Sequence, residues 1–152
     1  MNNSIYDKRK AHEYYMRHRK LKGRHSTKGM SQGQKEQFSY AKHVLGEERK
    51  KRDSKSRETI NESKQRQREQ IRALTKKRIE ALRDALSRMD PYQRMMAKER
   101  IQGVIDNLRA QKSQKNKEIT QKGSVQLKSA KQKSRDRYDR DLDTAYKKIK
   151  GN

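Results

Sequence analysis

A shortage of large apolar side chains is the first constraint on this chain. Leu, Ile, Val and Phe together supply 20 of its 152 residues. Fixing one residue of backbone costs about 1–2 kcal/mol in entropy, so few apolar groups cannot hold a conventional globule over the full length. A formal net charge of +24, from 43 basic and 19 acidic residues, moves the composition towards that of disordered chains. Two features oppose disorder. Pro91 is the single proline, and most other residues are Lys, Arg, Gln, Glu and Ala, which favour helix. The expectation is an all-α fold with a thin core: an extended helical hairpin, or a three-helix coiled-coil-like bundle, with a flexible basic N-terminal head.

Four segments follow from punctuation and pattern. Residues 1–30 form the head, with nine basic residues, two acidic ones and three of the seven tyrosines. A short helix is predicted from Ser4 to Leu21. Gly23 and Gly29 then bracket a small polar loop, and the head is read as partly disordered. Residues 31–70 are a charged helix or tether. Ser31 and Gln34 have the spacing of a capping box, and Phe38, Ala41 and Leu45 recur at helical intervals. From Glu47 to Gln70 the only large aliphatic residue is Ile60.

The strongest periodicity lies in residues 71–121. At about 100° per residue, Ile71, Leu74, Ile79, Leu82, Leu86 and Met89 share one face. Arg78 falls within that stripe, so its stem is expected to snorkel outward. Asp90-Pro91-Tyr92-Gln93 then matches an N-cap, a proline at the first helical position and a reciprocal capping residue. Ala97, Ile101, Val104, Ile105, Leu108 and Ile119 stripe the next helix. A reversal at Asp90-Pro91 zips the two faces into an antiparallel hairpin with arms of roughly 45 Å. Gly123-Ser124 reads as a hinge before a separate amphipathic helix over 124–150, built on Leu127, Tyr138, Leu142, Ala145 and Ile149. Periodicity leaves open whether that helix packs on its own hairpin or on another chain. The predicted packing positions are Ile71, Leu74, Leu82, Leu86, Ile101, Ile105, Leu108 and Leu142.

Little in the chain suggests catalysis. The carboxylates, such as Asp136, Asp139, Asp141 and Asp143, are scattered among bases, a solvated pattern and not a dry acid–base pair. His12, His18 and His25 invite a metal reading, but His12 and His18 fall on different helix faces and no Cys or carboxylate pair completes a tetrahedral set. Gly23 to Gly29 with Lys28 lacks the strand and the residue order of a phosphate loop. No enzyme activity, cofactor, metal or small-molecule substrate is expected. The chain has no cysteines, no run long enough to span a bilayer and no apolar secretory leader. It is expected to be neither secreted nor transmembrane.

The charge is an argument about partners. The densest basic run is Arg17-His18-Arg19-Lys20-Leu21-Lys22-Gly23-Arg24, preceded by Tyr14 and Tyr15. Tyr14, Tyr15, Arg17, His18, Arg19, Lys20, Lys22, Arg24 and Lys28 are therefore the candidate partner- or polyanion-binding residues, with cations to hold phosphates and rings to stack bases.

The same segment resembles a known group of proteins. Glu13 to Arg24, followed by Ser26-Thr27-Lys28-Gly29-Met30-Ser31, is similar to the head of small basic coiled-coil proteins encoded in structural gene clusters of tailed phages and prophages of Gram-positive bacteria. The resemblance covers residues 12–31; beyond them the likeness is one of composition. It implies a virion or head-assembly protein, acting in the virion or the host cytoplasm. Its head would dock to other virion proteins, and its helices would form homo-oligomers or a spacer. The alternative is a non-specific nucleic-acid-binding or DNA-compacting protein.

Overall fold

A computed structural model describes residues 3–18 and 25–151. The described residues are helical with no strand: a 3-10 turn at Asn3–Tyr6, then α1 (Lys8–His18), α2 (Gln32–Ser87) and α3 (Pro91–Gly151). No helix among them is long and apolar enough to cross a membrane.

Helix boundaries follow local chemistry. Asp7 Oδ1 accepts from the amides of Arg9 at 3.0 Å and Lys10 at 3.1 Å, so α1 starts after an aspartate cap and not at Ser4. The capping box at α2 forms as spelled: Gln34 N donates to Ser31 Oγ at 3.2 Å, and Ser31 N donates to Gln34 Oε1 at 2.8 Å. Gly29 precedes it at φ 81°, a left-handed conformation that glycine adopts without steric cost. At the hairpin turn, Gln93 N donates to Asp90 Oδ1 at 2.8 Å. Arg94 reaches back to the carbonyls of Ser87 at 3.1 Å and Met89 at 3.2 Å. One short segment thus satisfies an orphan carbonyl at the end of α2 and an orphan amide at the start of α3.

One alternative about these helices is decided and one expectation is corrected. Of the helix and the tether left open over 31–70, the helix forms: α2 runs unbroken through residues 47–70. Gly123-Ser124 is no hinge, because α3 continues from Pro91 to Gly151. There is therefore no separate third long helix.

The chain divides into two compact units, both drawing on α2 and α3. Unit 1 comprises residues 1–56 and 129–152. Its core is Ile5, Phe38, Ala41, Leu45, Leu142, Ala145 and Ile149, walled by Tyr6, Val44, Tyr138 and Tyr146. The end of α3 therefore packs in cis, on the first part of α2 and on the head. The described part of the head is not a free arm: Ile5 and Ala11 are buried, and His12 Nδ1 lies 2.9 Å from Glu36 Oε2. Burial raises the pKa of the Tyr138 phenol, which the charge of Asp139 reinforces and Arg49 opposes. Tyr6 is raised the same way, by burial first and Asp141 second.

Unit 2, residues 57–128, is the antiparallel hairpin. Ile79, Ile105 and Ile119 are buried, and Ile71, Leu82, Leu86, Ile101 and Leu108 are half-buried. Leu74, expected in the seam, is 57% exposed. The seam passes beside it, through Ile71, Thr75 and Ile79. In α3 the inward positions between Ala97 and Leu127 are 97, 101, 105, 108, 112, 116, 119, 123 and 127. They advance in steps of four, four and three, a repeat of eleven residues. In α2, Ile60, Ile71 and Leu82 keep the same interval, as do Lys64, Thr75 and Leu86. Eleven residues over three turns is about 3.67 per turn, which favours a slight right-handed winding of one helix about another, opposite to a heptad coiled coil.

Candidate nucleic-acid interface

The predicted head residues are only partly placed in a surface. Arg19, Lys20, Lys22 and Arg24 lie outside the described residues. Arg17, His18 and Lys28 are exposed, and Tyr14 and Tyr15 are half-buried. Tyr14 is occupied within the fold. Its ring stacks on His43 at 4.4 Å between centroids, with His18 at 4.4 Å and Tyr40 at 5.9 Å. A ring held this way is poorly placed to stack a base. His25 faces inward as well, bonded to Asp143 and packed against Phe38 and Tyr146. The histidines of the head therefore act as packing and pairing groups in unit 1.

Unit 2 separates its charges along the hairpin. Residues 64–78 and 109–128 together hold thirteen basic side chains and two acidic ones, Glu69 and Glu118. Residues 79–108, which include the turn, hold five of each sign. Of the thirteen bases only Lys64 and Lys112 are even half-buried; the others are exposed. Two of the thirteen have an ion-pair partner among the described residues, Lys76 with Glu80 at 3.9 Å and Arg109 with Asp106 at 4.0 Å. Exposed pairs of this kind contribute about 0–1 kcal/mol, so the tract keeps nearly all its positive field.

The same tract is where the seam turns polar. Between Leu108 and Ile119 the inward positions of α3 are Lys112 and Asn116. Without apolar side chains to draw the arms together, a groove opens. It has a volume of about 810 Å³ and is lined by Arg68, Arg109, Lys112, Ser113, Asn116, Lys117, Thr120 and Gln121. A smaller cavity of about 340 Å³ shares Arg68, Lys112 and Asn116 and adds Gln65, Arg72 and one carboxylate, Glu69. Arg68 donates to Thr120 Oγ1 at 2.6 Å, and that hydroxyl donates to the Asn116 carbonyl at 3.1 Å. The Asn116 side-chain oxygen is buried without a hydrogen-bond partner. The groove thus presents guanidinium and ammonium groups interleaved with hydroxyls and amides. This donor set suits phosphate oxygens.

Sequence reading had favoured the head and missed Arg68, Arg109, Lys112 and Lys117. The available signal was the near absence of acidic residues over 64–78 and 109–128, compared with the balanced segment between them. Comparisons with protein-family models, curated proteins and solved structures gave no significant match to this chain.

Proposed function

We propose that this protein is a non-enzymatic structural protein that binds the phosphate backbone of nucleic acid without reading its sequence. The observation that carries the proposal is the uncompensated cationic tract on both arms of the hairpin, centred on the groove at Arg68, Arg109, Lys112 and Lys117. Cations along two braced helices meet a regularly spaced polyanion without first paying to order a loose chain, and neutralising phosphates releases condensed counterions. Nothing in the donor set discriminates one base edge from another. The test is duplex-DNA affinity measured against salt. Each lost phosphate contact lowers the slope of log K against log salt by about 0.9. Replacing Arg68, Arg109, Lys112 and Lys117 with Gln should flatten that slope by two or more, equally for unrelated sequences. An unchanged slope would remove the hairpin from the binding surface.

A second reading is favoured by residues 12–31: a component of a tailed-phage virion or of head assembly, docked through its basic head to other virion proteins. Mass-spectrometric counting in empty proheads and DNA-filled virions tests it. Fixed copy number in both supports a structural component. Presence in filled particles alone supports the nucleic-acid role, and absence from both rejects the virion reading.

A further inference from the structure

Unit 1 holds a cavity of its own. Its volume is about 360 Å³, at the small end of ligand sites. The first turns of α2 wall it with Ser31, Gly33, Gln34 and Gln37, and Lys8 and Lys148 flank it. No carboxylate lines it among the described residues. Asp7 and Glu36, the acidic residues next to it in sequence, are engaged otherwise. Asp7 Oδ1 accepts from the Arg9 and Lys10 amides, and Glu36 lies against His12 and accepts from Gln32. Lys148 Nζ is held 4.0 Å from the centre of the Tyr6 ring, a contact that leaves its charge uncancelled.

The start of α2 supplies donors. The capping box uses the Gln34 amide, and the amides of Gln32 and Gly33 have no intrahelical acceptor. The helix dipole adds positive potential at the same place. A Cβ on Gly33 would meet nothing within 4 Å, so the fold does not require glycine there, yet its absence leaves these amides open to a ligand. The negative end of α3 is covered: Gln34 Nε2 donates to the carbonyls of Ile149 at 3.1 Å and Lys150 at 3.5 Å. Gln37 points to a ligand independently of the helix end. It is only 9% exposed, it lines the cavity, and its carboxamide has no hydrogen-bond partner among the described residues. Buried polar groups are ordinarily paired.

We propose that this cavity binds a single phosphate group. The group sits on the open amides of the first turn of α2, between Lys8 and Lys148, and takes a hydrogen bond from the Gln37 carboxamide. Helix starts with free amides and nearby cations suit phosphate oxygens. The phosphate arrives either as the free ion or a small ester, or as the terminal phosphate of a nucleic-acid strand. The site stands apart from the question of what the cationic tract binds.

Titration of the full-length protein with inorganic phosphate at constant ionic strength tests it, followed by nuclear magnetic resonance. The Gly33 backbone amide and the Gln37 side-chain amide should shift together and saturate with one dissociation constant, while Gly46, farther along α2, should not follow. Gly33→Ala sets a methyl towards the start of the helix. Read at Gln37, it should weaken binding at least threefold with an unchanged or higher melting temperature. Lys8→Gln combined with Lys148→Gln should weaken it at least fivefold. A trinucleotide with and without a 5′-phosphate identifies the source. Saturation by inorganic phosphate assigns the free ion or a small ester; saturation by the 5′-phosphorylated trinucleotide alone assigns a strand end. Shifts that never saturate or are matched at Gly46 overturn the proposal. So does an affinity indifferent to both variants, or an equal response to the two trinucleotides with none to inorganic phosphate.

Discussion

Gly123 lies against the aliphatic stem of Lys64: a Cβ on the glycine would fall 2.5 Å from Lys64 Cδ. The arms pass closely here because one contributes a stem and the other no side chain. Alanine at 123 would gain about 1 kcal/mol of helix propensity, but Lys64 must move aside to admit it. Urea unfolding of a double-mutant cycle should therefore show coupling. Gly123→Ala should stabilise the Lys64→Ala background by about 1 kcal/mol and the parent by clearly less. Equal gains in both would mean that the close approach has no energetic consequence.

The displaced seam makes a second prediction. Ile105 is 2% exposed, and Leu74 remains largely open. Ile105→Ala should cost about 2–5 kcal/mol through lost burial and an unfilled cavity. Leu74→Lys should change stability by about 0.5 kcal/mol or less, as substitutions at open surface do. Comparable losses at both sites would place Leu74 back in the seam.

At the turn, Asp90 is the residue to remove. Asp90→Ala takes away the acceptor for the Gln93 amide and should cost about 1 kcal/mol, whereas Asp90→Asn keeps an acceptor and should cost much less. Hydrogen exchange at Gln93 reports the same change locally: protection should fall in the alanine variant alone.

Alkaline pH gives a fourth test, in unit 1. Tyr138 and Tyr6 hold their protons above the ordinary phenol value of 10.0. Above that value the unfolded chain loses these protons more readily than the folded one. Their contribution to stability is therefore complete below about pH 10 and declines as pH rises through the folded values. Tyr138→Phe should be less sensitive to this rise than the parent. Melting temperatures at pH 8 and pH 11 provide the comparison, each variant referred to itself so that lysine titration cancels. An identical decline in both proteins would contradict the assignment to Tyr138.

The parts of the fold legible in the sequence were those written in neighbouring residues. Ser31 with Gln34 and Asp90-Pro91-Gln93 specify helix starts over a single turn; the first forms both bonds of its capping box, and at the second the aspartate cap forms, with the Gln93 amide donating to Asp90 Oδ1. The paired stripes from Ile71 to Leu108 likewise announced a hairpin. Other features depend on residues brought together over long separations. Gly123 looked like a break because a glycine in isolation weakens a helix; its use appears only when Lys64 crosses it. The stretch from Glu47 to Gln70 left helix and tether open because its inward positions, among them Arg52, Ser56 and Lys64, are polar. Arg52 in fact hydrogen-bonds the Ser134 carbonyl at 3.1 Å. Tyr14 suggested a stacking platform until His43, on α2, occupied its ring. The basic head drew attention by density, whereas the hairpin's cations are spread over two arms and become a single surface only on folding.

The eleven-residue interval of the inward positions sets a rule for length. Eleven residues turn a helix by about 1,100°, three full revolutions and some 20° more, so an insertion of that size returns every later side chain almost to its former face. Matched insertions of eleven residues in the two arms of the hairpin would lengthen it by about 16 Å and leave its apolar layers paired. An insertion of five or six would turn the seam outward. The hairpin is in that sense a ruler with coarse graduations, and its reach is adjustable by evolution or design in whole repeats.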